Sequence, residues 1–103
     1  LRAKTEGIKM AENINDITVN YEEDGIKVVK ELDKEILSKG AWTTIIFKYQ
    51  DWNRGKEEYG PEKFTIRRYR KMNGVYRQQS KFNISSVKQA NQLVDVLKKW
   101  TQE

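Results

Sequence analysis

Between residues 63 and 81 the chain carries Lys63, Arg67, Arg68, Arg70, Lys71, Arg77 and Lys81 and no carboxylate. Guanidinium groups grip phosphate oxygens in a fork and lie flat against rings, and ammonium groups supply point charge. Tyr69, Tyr76 and Phe82 are interleaved with these cations. Cations beside exposed rings suit a flexible polyanion, because the charges follow the backbone while each stacked base contributes about 1–3 kcal/mol. The plainer reading of a charge run is a solvated face, and of the rings ordinary sheet packing. Trp42 and Trp100 read as packing residues. Trp52, at the entrance of a polar stretch, is an outside candidate for ligand contact.

Other chemistry is excluded by composition. The chain has no histidine and no cysteine, so it offers no imidazole base, no thiolate nucleophile, no disulfide and no His or Cys metal ligand. Asp51, Glu57, Glu58 and Glu62 do not have the spacing of a calcium loop, and no phosphate-binding Gly-Lys-Ser loop occurs. No catalytic residue, metal ligand or cofactor is assigned, and the protein reads as a non-enzyme. No apolar run approaches a signal-peptide core or a membrane span. The expectation is an intracellular protein of the cytoplasm or nucleoid, or of the nucleus in a eukaryote, with no membrane partner.

The 103 residues make one domain. Residues 1–40 have a net charge of −2 and residues 41–103 one of +7, so the excess of +5 belongs to the basic segment. Hydrophobic residues are 37% against 34% charged. A core this lean is easier to complete when two copies share it, which favours a dimer.

The elements that must position the cations are legible to different degrees. Residues 1–20 show no sustained period and read as a mobile N-terminal arm, leaving 21–103 as the binding domain. Glu23-Asp24-Gly25 signals a turn before a short strand at 26–32, and residues 42–50, nearly all β-branched or aromatic, form the strongest strand. Residues 51–61, with Asn53, Gly55, Gly60 and Pro61, read as an exposed connection. Asn73-Gly74 predicts a two-residue hairpin turn between strands at 63–72 and 75–84. Ser86 to Gln89 fits a capping box, and Val87, Ala90, Leu93, Val94, Leu97 and Trp100 form the apolar stripe of a closing helix.

The turn sets the expected register, pairing Arg70 with Arg77, Arg68 with Gln79, Lys71 with Tyr76 and Tyr69 with Gln78. One face then shows Arg68, Arg70, Arg77, Gln79 and Lys81, and the other Arg67, Tyr69, Lys71, Tyr76, Gln78 and Phe82. Two guanidiniums directly opposite one another weaken a hairpin unless an anion sits beside them. A bulge in either strand would exchange the faces beyond it.

Residues 39–100 resemble the transcriptional positive cofactor four family of single-stranded DNA-binding proteins. The resemblance is carried by the aromatic-rich strand at 42–50, by Ile66-Arg67-Arg68-Tyr69, by a turn with Gly74, by Lys81-Phe82-Asn83-Ile84-Ser85, and by a closing helix with Gln89, Leu93 and Leu97. Arg68 and Asn83 stand where those proteins usually carry an acid and a glycine. The resemblance implies an α+β fold: a curved antiparallel four-stranded sheet, with room for an extra N-terminal strand, followed by the helix. It also implies a homodimer joined through helices and sheets, with basic β-surfaces that take single strands. Carried over by position, Arg67, Lys81 and Lys48 are the leading contacts, with Arg70 and Phe82 in neighbouring positions.

The reading is therefore a single-stranded DNA-binding protein of the transcription-coactivator type, acting in transcription, replication or recombination. Its contact set is Lys48, Arg67, Arg68, Tyr69, Arg70, Lys71, Tyr76, Arg77, Lys81 and Phe82. Two alternatives stay open: an adaptor whose basic hairpin grips an acidic protein, and an RNA-binding module, since stacking does not distinguish ribose from deoxyribose.

Overall fold

The computed structural model describes residues 10–102, which form β1 (Met10–Ala11), β2 (Tyr21–Glu23), β3 (Ile26–Ser38), β4 (Trp42–Asn53), β5 (Glu58–Tyr59), β6 (Lys63–Met72), β7 (Val75–Ile84) and α1 (Val87–Thr101). The fold is α+β. Its antiparallel sheet has the order β1-β7-β6-β4-β3-β2, with β5 paired to β4. Register shifts in β2–β3, β3–β4 and β6–β7 curl it. No helix among the described residues is long and apolar enough to cross a membrane.

Four strands and an optional fifth were the expectation, and the additional strands have local causes. β3 runs well past residue 32 because no glycine or proline interrupts it, and it absorbs two register shifts on the way, around Leu32 and Leu37. The stretch at 51–61 is largely a hairpin rather than a loop. Trp52 packs edge-on against Tyr59 at 5.0 Å, the Gly60 N–H donates to the Asp51 carbonyl at 2.9 Å, and the Gln50 side-chain amide donates to the Gly60 carbonyl at 3.0 Å. The hairpin at Asn73-Gly74 forms as expected, with φ of 53° and 81°, the left-handed region that a tight turn of this kind requires.

One face of the sheet carries the core. Ile45, Phe47, Tyr49 and Tyr69 cluster there with Ile17 and Val19, and Ala11, Ile14, Val29, Ile36 and Tyr76 pack around them. Residues 10–20 were expected to belong to a mobile arm; instead Met10–Ala11 add an edge strand beside β7 and residues 12–20 form a strap over this face, with Ile17 only 1% exposed. The Glu31 carboxylate accepts from the Thr18 hydroxyl at 2.6 Å and from the Val19 N–H at 3.2 Å, while the Glu31 N–H donates to the Asn20 side chain at 2.7 Å. The Lys34 ammonium donates to the carbonyls of Asn15 and Ile17. Met10 is already part of the sheet through its pairing with Arg77. Residues 1–9 of the expected arm lie outside the described residues.

The opposite face is covered only in part, by α1. Ser86 caps the helix by accepting from the Gln89 N–H at 3.0 Å, and the Gln89 side chain accepts from the Ser85 N–H at 2.8 Å. No residue of α1 is buried. Ala90, Leu93, Val94 and Leu97 face Ile46, Phe64, Ile66, Phe82 and Ile84 across an apolar groove of about 310 Å³. Trp100, expected to pack, is 73% exposed.

Candidate nucleic-acid interface

The cations sit on a hairpin whose faces are set by its turn and by one irregularity. From Asn73-Gly74 outward the pairs are Met72–Val75, Lys71–Tyr76, Arg70–Arg77 and Tyr69–Gln78, as the turn dictates. The register then shifts, so Arg68 pairs with Ser80, Arg67 with Lys81 and Ile66 with Phe82. Gln79 is the extra residue. Beyond it Lys81 and Phe82 exchange faces relative to the unbroken register, because side chains alternate along each strand.

On the helix face the cross-strand pairs line up in rows over three strands. Trp42, Arg70 and Arg77 form the first row, and Thr44, Arg68 and Ser80 the second. Ile46, Ile66 and Phe82 follow, and then Lys48, Phe64 and Ile84. The face therefore passes from cationic at the turn end to apolar under α1. Arg68, Arg70 and Arg77 are all exposed. The Arg68 guanidinium carbon lies 4.5 Å from the centroid of the Trp42 ring and that of Arg70 lies 5.4 Å away.

On the strap face the corresponding rows are Thr43, Tyr69 and Gln78, then Ile45, Arg67 and Lys81. Arg67 is half-buried and donates to the Gln78 side-chain oxygen at 3.0 Å and, through Nε, to the Thr65 hydroxyl at 3.4 Å. Both partners are neutral, so the charge of Arg67 is oriented without being cancelled. Lys71 lies 5.3 Å from the centroid of the Tyr76 ring.

Among the described residues only two ion pairs occur, Arg54 with Glu23 and Lys63 with Asp51, each at 2.9 Å. The Lys63–Asp51 hydrogen bond raises the lysine pKa and takes that cation out of the open set. Arg67, Arg68, Arg70, Lys71, Arg77, Lys81 and Lys48 have no carboxylate partner among the described residues. The acidic N-terminal half approaches the hairpin through β1, which pairs with Arg77 and Tyr76 by backbone, and no ion pair among the described residues joins the two there.

The structure does not bring all the expected contacts together. Tyr69 is 1% exposed in the core, so it presents no face to a base; β6 places it beside Thr43 of β4, on the side covered by Ile17 and Val19. Burial pushes its hydroxyl pKa up to about 12, with the nearby Arg67 guanidinium pulling the other way. Tyr49 is raised as well, first by burial and then by Asp51. Tyr76 packs against the core, and Phe82, 53% exposed, borders the apolar groove rather than the cationic rows. Lys48 lies at the far end of the helix face, between Asp33 and Phe64.

Trp42 is the residue that sequence reasoning passed over. Its position at the head of an apolar strand suggested packing, yet it is 40% exposed in the same row as two arginines. The signal available was its two-residue step from Thr44, which places it on the face opposite Thr43 and Ile45. No group of three or more His, Cys, Asp or Glu among the described residues could hold a metal ion. No protein-family model matches the chain, and no curated protein or solved structure shows significant similarity to it.

Proposed function

We propose that the protein binds single-stranded DNA without catalysing a reaction, through the open cationic rows of the β6–β7 hairpin. The observation that carries this reading is the absence of carboxylate partners for Arg67, Arg68, Arg70, Lys71, Arg77 and Lys81 among the described residues, although Arg70 faces Arg77 and Arg67 faces Lys81 across the ladder. Like charges directly opposite one another destabilise a sheet. A ligand that supplies evenly spaced negative charge relieves such a pair on the face that it follows. Arg68, Arg70 and Arg77 neutralise phosphates on the helix face, and Arg67, Lys71 and Lys81 extend the positive field to the other side of the same hairpin. The biological setting of this reading is a transcription coactivator or a factor in replication or recombination.

The working form is a homodimer. A second copy of α1 and its groove covers Leu97, Val94, Phe82 and Trp100, which one chain leaves exposed. The Trp42–Arg70–Arg77 row lies at the turn end of the sheet, beyond the Arg68 row that borders the groove, so pairing leaves it open.

Fluorescence anisotropy with labelled single-stranded DNA, duplex DNA and RNA of matched length, at two salt concentrations, tests the reading. Tight, salt-sensitive binding to single-stranded DNA over the duplex is the expected result. Equal or stronger binding to RNA would reassign the ligand, and no binding to any of the three would favour an acidic protein partner.

A further inference from the structure

We propose that the Trp42 indole is a nucleobase platform that the free protein partly covers with its own arginines. This rests on the reading of the hairpin as a single-strand binder and names what the ring contributes to it. Trp42 stands outside the core cluster, and the Arg68 and Arg70 guanidiniums lie against its ring at 4.5 and 5.4 Å. A surface cation–π contact is weaker than the stacking of a base on an indole, and a guanidinium bound to phosphate gains charge-assisted hydrogen bonds that a ring does not offer. Both exchanges therefore run in one direction when a strand arrives: a base replaces a guanidinium on Trp42, and the guanidinium moves to the adjoining phosphate.

The backbone around the ring is fixed. Trp42 pairs with Arg70 in the β4–β6 ladder, and the Lys71 N–H donates to the Ala41 carbonyl at 2.9 Å. Arg77, next in the row, completes a cation–cation–ring line whose spacing is set by three strands rather than by a loop. A platform held this way accepts any base, since every base has a π face, so the contact contributes affinity and not sequence preference.

The test uses the full chain and two probes, oligothymidylate and an abasic deoxyribose-phosphate strand of the same length. Trp42→Leu is expected to weaken oligothymidylate binding by about tenfold, the order of one lost stack, and to leave abasic binding unchanged, while Trp42→Phe retains most of the affinity. With Trp52→Phe and Trp100→Phe in place, the remaining indole emission is expected to be quenched by oligothymidylate and not by the abasic strand. Equal weakening of both probes by Trp42→Leu, or emission that both strands leave unchanged, would overturn the proposal. A wild-type protein that binds neither probe would overturn the hairpin reading itself, whereas wild-type binding matched by Trp42→Leu would remove only the role of Trp42.

Discussion

Arg70 stands directly opposite Arg77 in the β6–β7 ladder, and neither has a carboxylate partner among the described residues. The arrangement costs the free protein stability that a bound anion would restore. Arg77→Thr is therefore expected to raise the stability of the unliganded protein by about 0.2–1 kcal/mol, measured as a higher urea midpoint, while weakening single-strand binding. A destabilised variant would show that the pair is satisfied in some other way.

The strap makes a prediction about folding. Ile17 is almost fully buried against the sheet, so Ile17→Ala is expected to cost about 2–5 kcal/mol in urea denaturation. A solvent-exposed control such as Asn15→Ala is expected to change little. If Ile17→Ala matched the control, residues 10–20 would not be part of the core.

Alkaline stability follows from Tyr69. Its pKa is raised in the folded state to about 12 from an ordinary 10.0, chiefly by burial. The neutral hydroxyl is thus favoured by folding; the contribution is complete below pH 10 and disappears as pH climbs through the folded value. Two pKa units correspond to about 2–3 kcal/mol. Tyr49 and Lys63, both raised, act in the same direction. Denaturation curves for Tyr69→Phe are expected to fall less steeply than wild type between pH 10 and 12, and parallel curves would refute the assignment.

Subunit association is tested on the helix. Leu97 lines the apolar groove and is 55% exposed in the single chain. Wild-type protein is expected to scatter light as twice the 12.2 kDa chain mass, and Leu97→Asp as one chain with its strand content retained. A wild-type monomer over a wide concentration range would exclude the proposed dimer.

Much of this fold was legible in the sequence where one local rule determines the outcome. Asn73-Gly74 fixed its own turn and the pairing out to Tyr69 and Gln78, and the stripe from Val87 to Trp100 marked the helix. The bulge at Gln79 left no comparable signal, because no glycine or other backbone-special residue marks it. That single extra residue moved Lys81 and Phe82 to faces opposite those expected. The strap was invisible for a different reason: it buries chiefly Ile17 and Val19 and is otherwise tied down by polar bonds to Glu31 and Lys34, so it has no period to detect. Tyr69 illustrates a third limit. Its charged neighbours Arg68 and Arg70 suggested exposure, but alternation sends them to the other face.

Phosphate neutralisation by Arg68, Arg70 and Arg77 sets how steeply affinity for a single strand falls with salt. For single strands the slope of log affinity against log salt is about −0.7 for each phosphate neutralised. The variant with all three arginines replaced by alanine is expected to bind oligothymidylate more weakly and with a slope shallower by about 2. A slope equal to that of the wild-type protein would contradict the account, because those three side chains would then not be touching the strand.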